Sequence, residues 1–248
     1  MTVPDFIQHM TLLDEPRLAL FDADGTLWEN DIADDTTIWM IGTGRIKTGD
    51  QWAEYKRIYS QDAPAGCRYL LRFYKGLRLE DLTRHIEAYW AEFMKMVYIE
   101  EPLESLHYLA ERGFKIWVVT GSPTNMLYPM LRELPIDRVV GMDYEVDAHG
   151  VLTGRHSGIS CAGEGKAEKV RSLWPGPIQF AAGNARLDEA MMRLARDVIW
   201  AVHPHPDLER VASKEGWHIK HSSKPPYGTA GWVSLEKELA QRGLSLPA

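Results

Sequence analysis

The chain has 248 residues, enough for one α/β domain with a smaller accessory domain. Its 45% apolar and 25% charged composition is that of an ordinary soluble domain, and no stretch has the length to span a bilayer as a helix. A formal net charge of −7 argues against nucleic acid as a partner, and any anionic substrate must meet positive charge supplied locally.

Residues 1–15 have neither a basic start nor an uninterrupted apolar run, so they read as mature protein and not as a signal peptide. Residues 17–22, Arg-Leu-Ala-Leu-Phe-Asp, are a short apolar run of the kind expected for a strand buried on both faces of a parallel sheet. It runs into Asp22-Ala23-Asp24-Gly25-Thr26. From position 27 to about 101 no strand is evident. The helical stretches there are rich in aromatics: Trp39, Trp52, Tyr55, Tyr59, Tyr69, Phe73, Tyr74, Tyr89, Trp90 and Phe93. They break at Gly42-Thr43-Gly44, Pro64-Ala65-Gly66 and Gly76. This predicts a small helical insert whose aromatics form its core and its packing surface. Alternation then resumes, with a helix over 102–112 and a strand over 114–120. A hairpin follows over 144–154, turning at His149-Gly150, then a helix over 163–173 and strands over 177–184 and 197–202. Such alternation predicts an α/β fold with a parallel sheet. The two cysteines, Cys67 and Cys161, match no metal-ligand spacing and read as reduced thiols of a cytoplasmic protein.

Ligands of open parallel sheets bind at the carboxyl ends of the strands. At the first such end, Asp22 is ionised at neutral pH and can attack phosphorus without a base, provided a cation offsets the repulsion. Asp24 has its pKa raised by that neighbour, which suits it to protonate a leaving oxygen and later to activate water. Gly25 permits the sharp exit of the chain. At the second end, the Thr120 hydroxyl can donate to a phosphoryl oxygen. Beyond Gly121, Ser122-Pro123 predicts a helix start, with Ser122 as N-cap and free N–H groups facing an anion. Lys166 stands at a helix start, where a cation opposes the dipole. Its ammonium could instead neutralise nucleophile and phosphate together, with Lys169 the nearest competitor. At the last end, Asn184 and Asp188 offer the oxygen ligands that magnesium takes, and they equally suit a capped helix start.

Asp22-Ala23-Asp24-Gly25-Thr26, Thr120, Lys166 and Gly183-Asn184-x-x-x-Asp188 resemble, in order and spacing, the four motifs of the haloacid dehalogenase superfamily of phosphotransferases. The resemblance covers essentially the whole chain. The helical insert after the first motif places it nearest the phosphoserine-phosphatase-like branch. The resemblance implies a Rossmann-like core, residues 1–28 and 101–248, with an inserted helical cap domain, residues 29–100, that closes over substrate. It also implies bound magnesium and an aspartyl-phosphate intermediate. By position, Asp22 is nucleophile and metal ligand, and Asp24 is acid/base and ligand through its backbone carbonyl. Thr120 and Lys166 hold the phosphoryl group, with Gly121 and Ser122 beside them. Asn184 is the third protein ligand, and Asp188 supports the metal directly or through water. Many relatives have Asp where this chain has Asn184, so one negative charge is given up and magnesium binding weakens.

The expected activity is hydrolysis of a small phosphomonoester. Asp31, nine residues past Asp22, falls where that branch contacts a substrate amino group, and equally where the helix from Ile32 needs an N-cap. Arg45 and Arg57 are candidates for a substrate carboxylate or second phosphate. Phosphoserine and an amino- or choline-type ester remain open as substrates. Two other functions stay open: phosphoryl transfer to an acceptor alcohol, and a pseudophosphatase binding module suggested by Asn184 and the tryptophan-rich cap. Dehalogenation has no use for Asp24 or a metal.

Overall fold

The computed structural model describes residues 3–14, 16–29, 31–92 and 98–221; Phe93 and residues 222–248 lie outside them. A short helix, α1 (Asp5–Gln8), precedes β1 (Arg17–Phe21). The insert follows as α2 (Ile32–Gly42), α3 (Gln51–Gln61), α4 (Ala63–Leu70), a 3-10 turn (Leu71–Tyr74) and α5 (Leu79–Glu92). Next come α6 (Glu100–Glu111), β2 (Phe114–Pro123), a 3-10 stretch (Thr124–Arg132), and the strands β3 (Arg138–Val146) and β4 (Leu152–Ser157). The chain continues through α7 (Glu164–Leu173), β5 (Phe180–Gly183), a 3-10 turn (Arg186–Asp188), α8 (Glu189–Met192), β6 (Val198–Val202), α9 (Pro206–Glu215) and β7 (His218–Lys220).

The strands form one sheet in the order β4-β3-β2-β1-β5-β6-β7, parallel except for β4. This is the α/β, Rossmann-like core with a helical insert. Strand alternation sorts the core into two layers. Leu18 and Leu20 of β1, with Trp117 and Val119 of β2, pack toward α7, α8 and α9 through Val170, Met191, Met192 and Leu208. Ala19 and Phe21, with Ile116 and Val118, pack on the other face with Leu106 and Leu109 of α6 and with the insert. The order reverses at β1, which has β2 on one side and β5 on the other. That switch point opens a crevice at the carboxyl ends of these three strands.

Two parts of the insert bear on the site. Every residue of α2 from Ile32 to Ile41 is buried, including Asp34, Asp35, Thr36 and Thr37. A helix enclosed on all sides lies between layers and not at a surface. The insert is also tied to the β3–β4 hairpin by backbone hydrogen bonds. Gly76 N–H donates to the Leu152 carbonyl at 2.9 Å, Leu152 N–H to Leu77 at 2.8 Å, and Leu79 N–H to Gly150 at 3.0 Å.

The structure corrects the reading of residues 120–123. β2 does not end at Thr120 but continues to Pro123, with its register against β3 shifted between Val119 and Pro123. The element that follows is a 3-10 stretch whose N-cap is Pro123, with no side-chain cap. The cause is local: a residue before proline is pushed toward extended backbone, so Ser122 prolongs the strand and caps nothing. The hairpin forms where expected. β3, however, begins at Arg138 and spends its first half paired in parallel with β2.

Candidate active site

Phe21 lies level with Val118 of β2 and Ala182 of β5, so Asp22, Thr120 and Asn184 emerge side by side at the crevice. Asp22 N–H donates to the Ala182 carbonyl at 2.9 Å, fixing the start of the loop. The Asp22 carboxylate is buried; Oδ1 accepts from Lys166 Nζ at 2.7 Å and Oδ2 from the Thr26 hydroxyl at 2.9 Å.

Lys166 is 2% exposed and uses all three of its protons, on Asp22 Oδ1, on Asp188 Oδ1 at 2.6 Å and on the Val119 carbonyl at 2.9 Å. Burial opposes its charge, but Asp188 and Asp22 outweigh that and hold its pKa above the usual lysine value. Lys169, the competitor, points elsewhere, to the Gly141 carbonyl and Asp143. The other Asp188 oxygen accepts from the backbone N–H groups of Asn184 and Ala185 at 3.0 and 2.9 Å. Asp188 therefore orders both the Asn184 loop and the lysine.

Asp24 accepts four hydrogen bonds from the described residues. Trp28 Nε1 and the Ile32 N–H reach Oδ1, each at 2.9 Å. The Ser122 and Thr120 hydroxyls reach Oδ2 at 2.8 and 3.3 Å. Burial raises the Asp24 pKa in spite of these donors. Burial, with Asp188 adding and Lys166 opposing, pushes Asp22 up to about 7.

A cavity of about 360 Å³ opens above these groups, the size of a small-metabolite pocket. Its floor holds Asp22, Asp24, Thr120, Gly121, Ser122, Lys166, Asn184 and Asp188. Its roof comes from the insert, chiefly Asp31, Asp34, Tyr55, Lys56 and Tyr59. Asp31 caps α2 by accepting from the Ala33 and Asp34 N–H groups at 3.1 and 2.9 Å, and it also borders the cavity. Burial, then Asp34 and Asp24, raise its pKa well above the ordinary value. Arg45 and Arg57 do not line the cavity; Arg45 lies over Trp39, and Arg57 pairs with Glu54 at the surface.

Asp34, Lys56 and His205 also line the cavity and escaped the sequence reading; Tyr55 and Tyr59 line it too, although that reading gave them to the core and packing surface of the insert. A signal existed for two of them, since Tyr55 and Tyr59 stand at i,i+4 on α3 and so share a face. The Tyr55 hydroxyl donates to Asp34 at 2.6 Å, fixing that wall.

Two observations suit a divalent cation at the floor. The cavity carries five carboxylates, Asp22, Asp24, Asp31, Asp34 and Asp188, against two lysines, Lys56 and Lys166. The Asn184 side chain lines the cavity and makes no hydrogen bond to the described residues, so its amide oxygen can serve as a ligand there. Among the described residues no three His, Cys, Asp or Glu side chains form a ready-made metal cluster. The set expected here differs in kind, being one carboxylate, one backbone carbonyl and one amide.

The sequence profile of the haloacid dehalogenase-like hydrolases matches residues 19–193, which span both floor and roof. The chain belongs to that family, and within it stands with the phosphatases of the phosphoserine-phosphatase-like branch. It is similar to a histidinol-phosphatase of Neisseria meningitidis, 24% identical over 221 residues, covering 82% of this chain and 97% of that one. Among solved structures it resembles a Bordetella pertussis protein of unknown function, with a TM-score of 0.72 at 20% identity, covering 82% of this chain and 97% of that one. It also resembles a substrate-bound phosphoserine phosphatase, with a TM-score of 0.59 at 21% identity, covering 86% and 96%. No helix among the described residues is long and apolar enough to cross a membrane.

Proposed function

We propose that this chain is a cytoplasmic, magnesium-dependent phosphomonoesterase that works through an aspartyl-phosphate on Asp22. The observation that carries this reading is the Asp22–Lys166–Asp188 chain at the switch point, with Asp24 beside it and a small cavity above. Asp22 attacks phosphorus, and the bond from phosphorus to the alcohol oxygen breaks. Asp24 gives that oxygen a proton, then takes one from the water that attacks the acyl phosphate. The bond from phosphorus to the Asp22 oxygen breaks, phosphate leaves, and Asp22 is restored as the carboxylate and Asp24 as the protonated acid. Thr120 and Lys166 hold the phosphoryl oxygens, and Lys166 exchanges one of its present acceptors to do so. The Asp22 carboxylate, the Asp24 carbonyl and Asn184, with Asp188 behind them, would hold magnesium, which would supply the charge that lets a carboxylate approach a phosphate.

The roof supports a substrate with a cationic group on its alcohol. Asp31 and Asp34 face the cavity together with Tyr55 and Tyr59, and no arginine among the described residues lines it. Phosphoserine and histidinol phosphate, named by the relatives' activities, both carry an amino group. The roof favours esters with an amine and no carboxylate, since Lys56 is the one roof cation among the described residues lining the cavity.

The test is phosphate release from an aryl phosphate with and without magnesium, beside Asp22→Asn. Magnesium-dependent release that falls at least about 1,000-fold in the variant is expected, because nucleophile and metal ligand are lost together. Undiminished release from folded Asp22→Asn would sink the reading.

A further inference from the structure

The Asp24 carboxylate sits between two kinds of donor. On Oδ1 the partners among the described residues are both N–H groups, the Trp28 indole and the backbone of Ile32. Neither can ever accept a hydrogen bond. On Oδ2 both partners are hydroxyls, Ser122 and Thr120, which can turn and accept. The two sides also differ in place: Ser122 and Thr120 line the cavity, whereas Trp28 and Ile32 do not. From this asymmetry we infer that Trp28 is a positioning residue, pinning Asp24 Oδ1 so that Oδ2 alone faces the substrate and exchanges the proton.

Trp28 is built for that task. It has no exposed surface. Its backbone pairs with Asp24 on one side and Tyr98 on the other, where the chain leaves the sheet for the insert and where it returns. Gly25 N–H donates to the Trp28 carbonyl at 2.8 Å, and Ile99 N–H to the Leu27 carbonyl at 2.9 Å. The indole therefore cannot drift, and a fixed N–H fixes the carboxylate. Without it, one donor fewer holds Oδ1, the carboxyl group turns about its own bond, and its working oxygen leaves the line to the leaving group. A misplaced acid slows only reactions whose leaving group needs a proton.

This inference rests on the phosphatase reading, and the test separates the two. Wild type and Trp28→Phe are compared on 4-nitrophenyl phosphate, whose leaving group departs unprotonated, and on phenyl phosphate, whose more basic leaving group does not. Magnesium is present throughout, and folding is checked by thermal melting. A second variant replaces the Trp28 indole with the isosteric benzothiophene, which keeps the ring and deletes only the N–H. It stands in if Trp28→Phe does not fold. We expect kcat on phenyl phosphate to fall about 30-fold with KM little changed, and kcat on 4-nitrophenyl phosphate to fall by less than about threefold. Equal losses on both substrates, or no loss on either, overturn the positioning role while leaving the phosphatase intact. A wild type that hydrolyses neither ester overturns both.

Discussion

At the scale of single residues the site is an arrangement of close approaches. Gly25 has φ +77°, and a Cβ there would lie 2.0 Å from Asn184 Nδ2. The loop that carries Asp24 thus needs glycine both for its backbone and for room against the candidate metal ligand. Gly25→Ala is expected to displace Asn184, to remove magnesium-dependent turnover and to cost about 1–3 kcal/mol of stability, read by denaturant unfolding. Asn184→Asp adds a charge to the ligand set, so half-maximal activation should need roughly tenfold less magnesium. An unchanged magnesium dependence would remove Asn184 from the site. Asp22 gives a prediction in pH. Its folded pKa of about 7 lies above the ordinary 3.8, so the fold binds this proton more tightly than the unfolded chain does. The resulting stability is complete below pH 4 and is lost as pH rises through 7. A divalent cation competes with the same proton. Magnesium at tenfold excess over its Kd should therefore raise Tm by about 3–6 °C at pH 8 and by much less at pH 5. Equal shifts at the two pH values would mean that Asp22 is ionised throughout.

Between elements, the hairpin clasps the insert. The N–H groups of Gly76, Leu79 and Leu152 bridge the two, and their hydrogen exchange reports whether the clasp holds. They are expected to exchange as slowly as amides of β2; loop-like exchange would show that the insert swings free of the hairpin. Sequence patterns revealed some of these elements and not others, for physical reasons. β1, β2, β5 and β6 are apolar because both faces are covered, and that pattern is visible in one dimension. The first half of β3 reads Arg138-Val139-Val140-Gly141-Met142, with glycine in its middle, and nothing local marks it as a strand. Gly141 is there because a Cβ would meet the Ser122 carbonyl at 2.5 Å, a demand set by a distant neighbour. The floor of the site was legible because Asp22, Asp24, Thr120 and Asn184 follow or end apolar strands, while Lys166 and Asp188 stand at the helical turns beside them. Most of the roof was not, because Asp34, Tyr55 and Tyr59 reach the cavity only after the insert folds back.

For the molecule as a whole, the insert and the sheet share one core. Residues of α2 and α5 and the aromatics Trp52, Tyr55 and Phe73 belong to the same apolar cluster as β1 and β2. Calorimetry should therefore show one cooperative transition, and two resolved transitions would mean that the insert melts by itself. The enclosure of α2 has a further consequence. Its stretch Ala33-Asp34-Asp35-Thr36-Thr37 has the look of a surface helix, the kind of segment where substitutions are normally absorbed. Here every position from Ile32 to Ile41 is buried, and Ala33 and Asp34 line the cavity. In a saturation screen this polar-looking helix should be as unforgiving as the central strand, and the permissive turns should lie instead on the outer face of α3, at Gln51, Ala53 and Arg57.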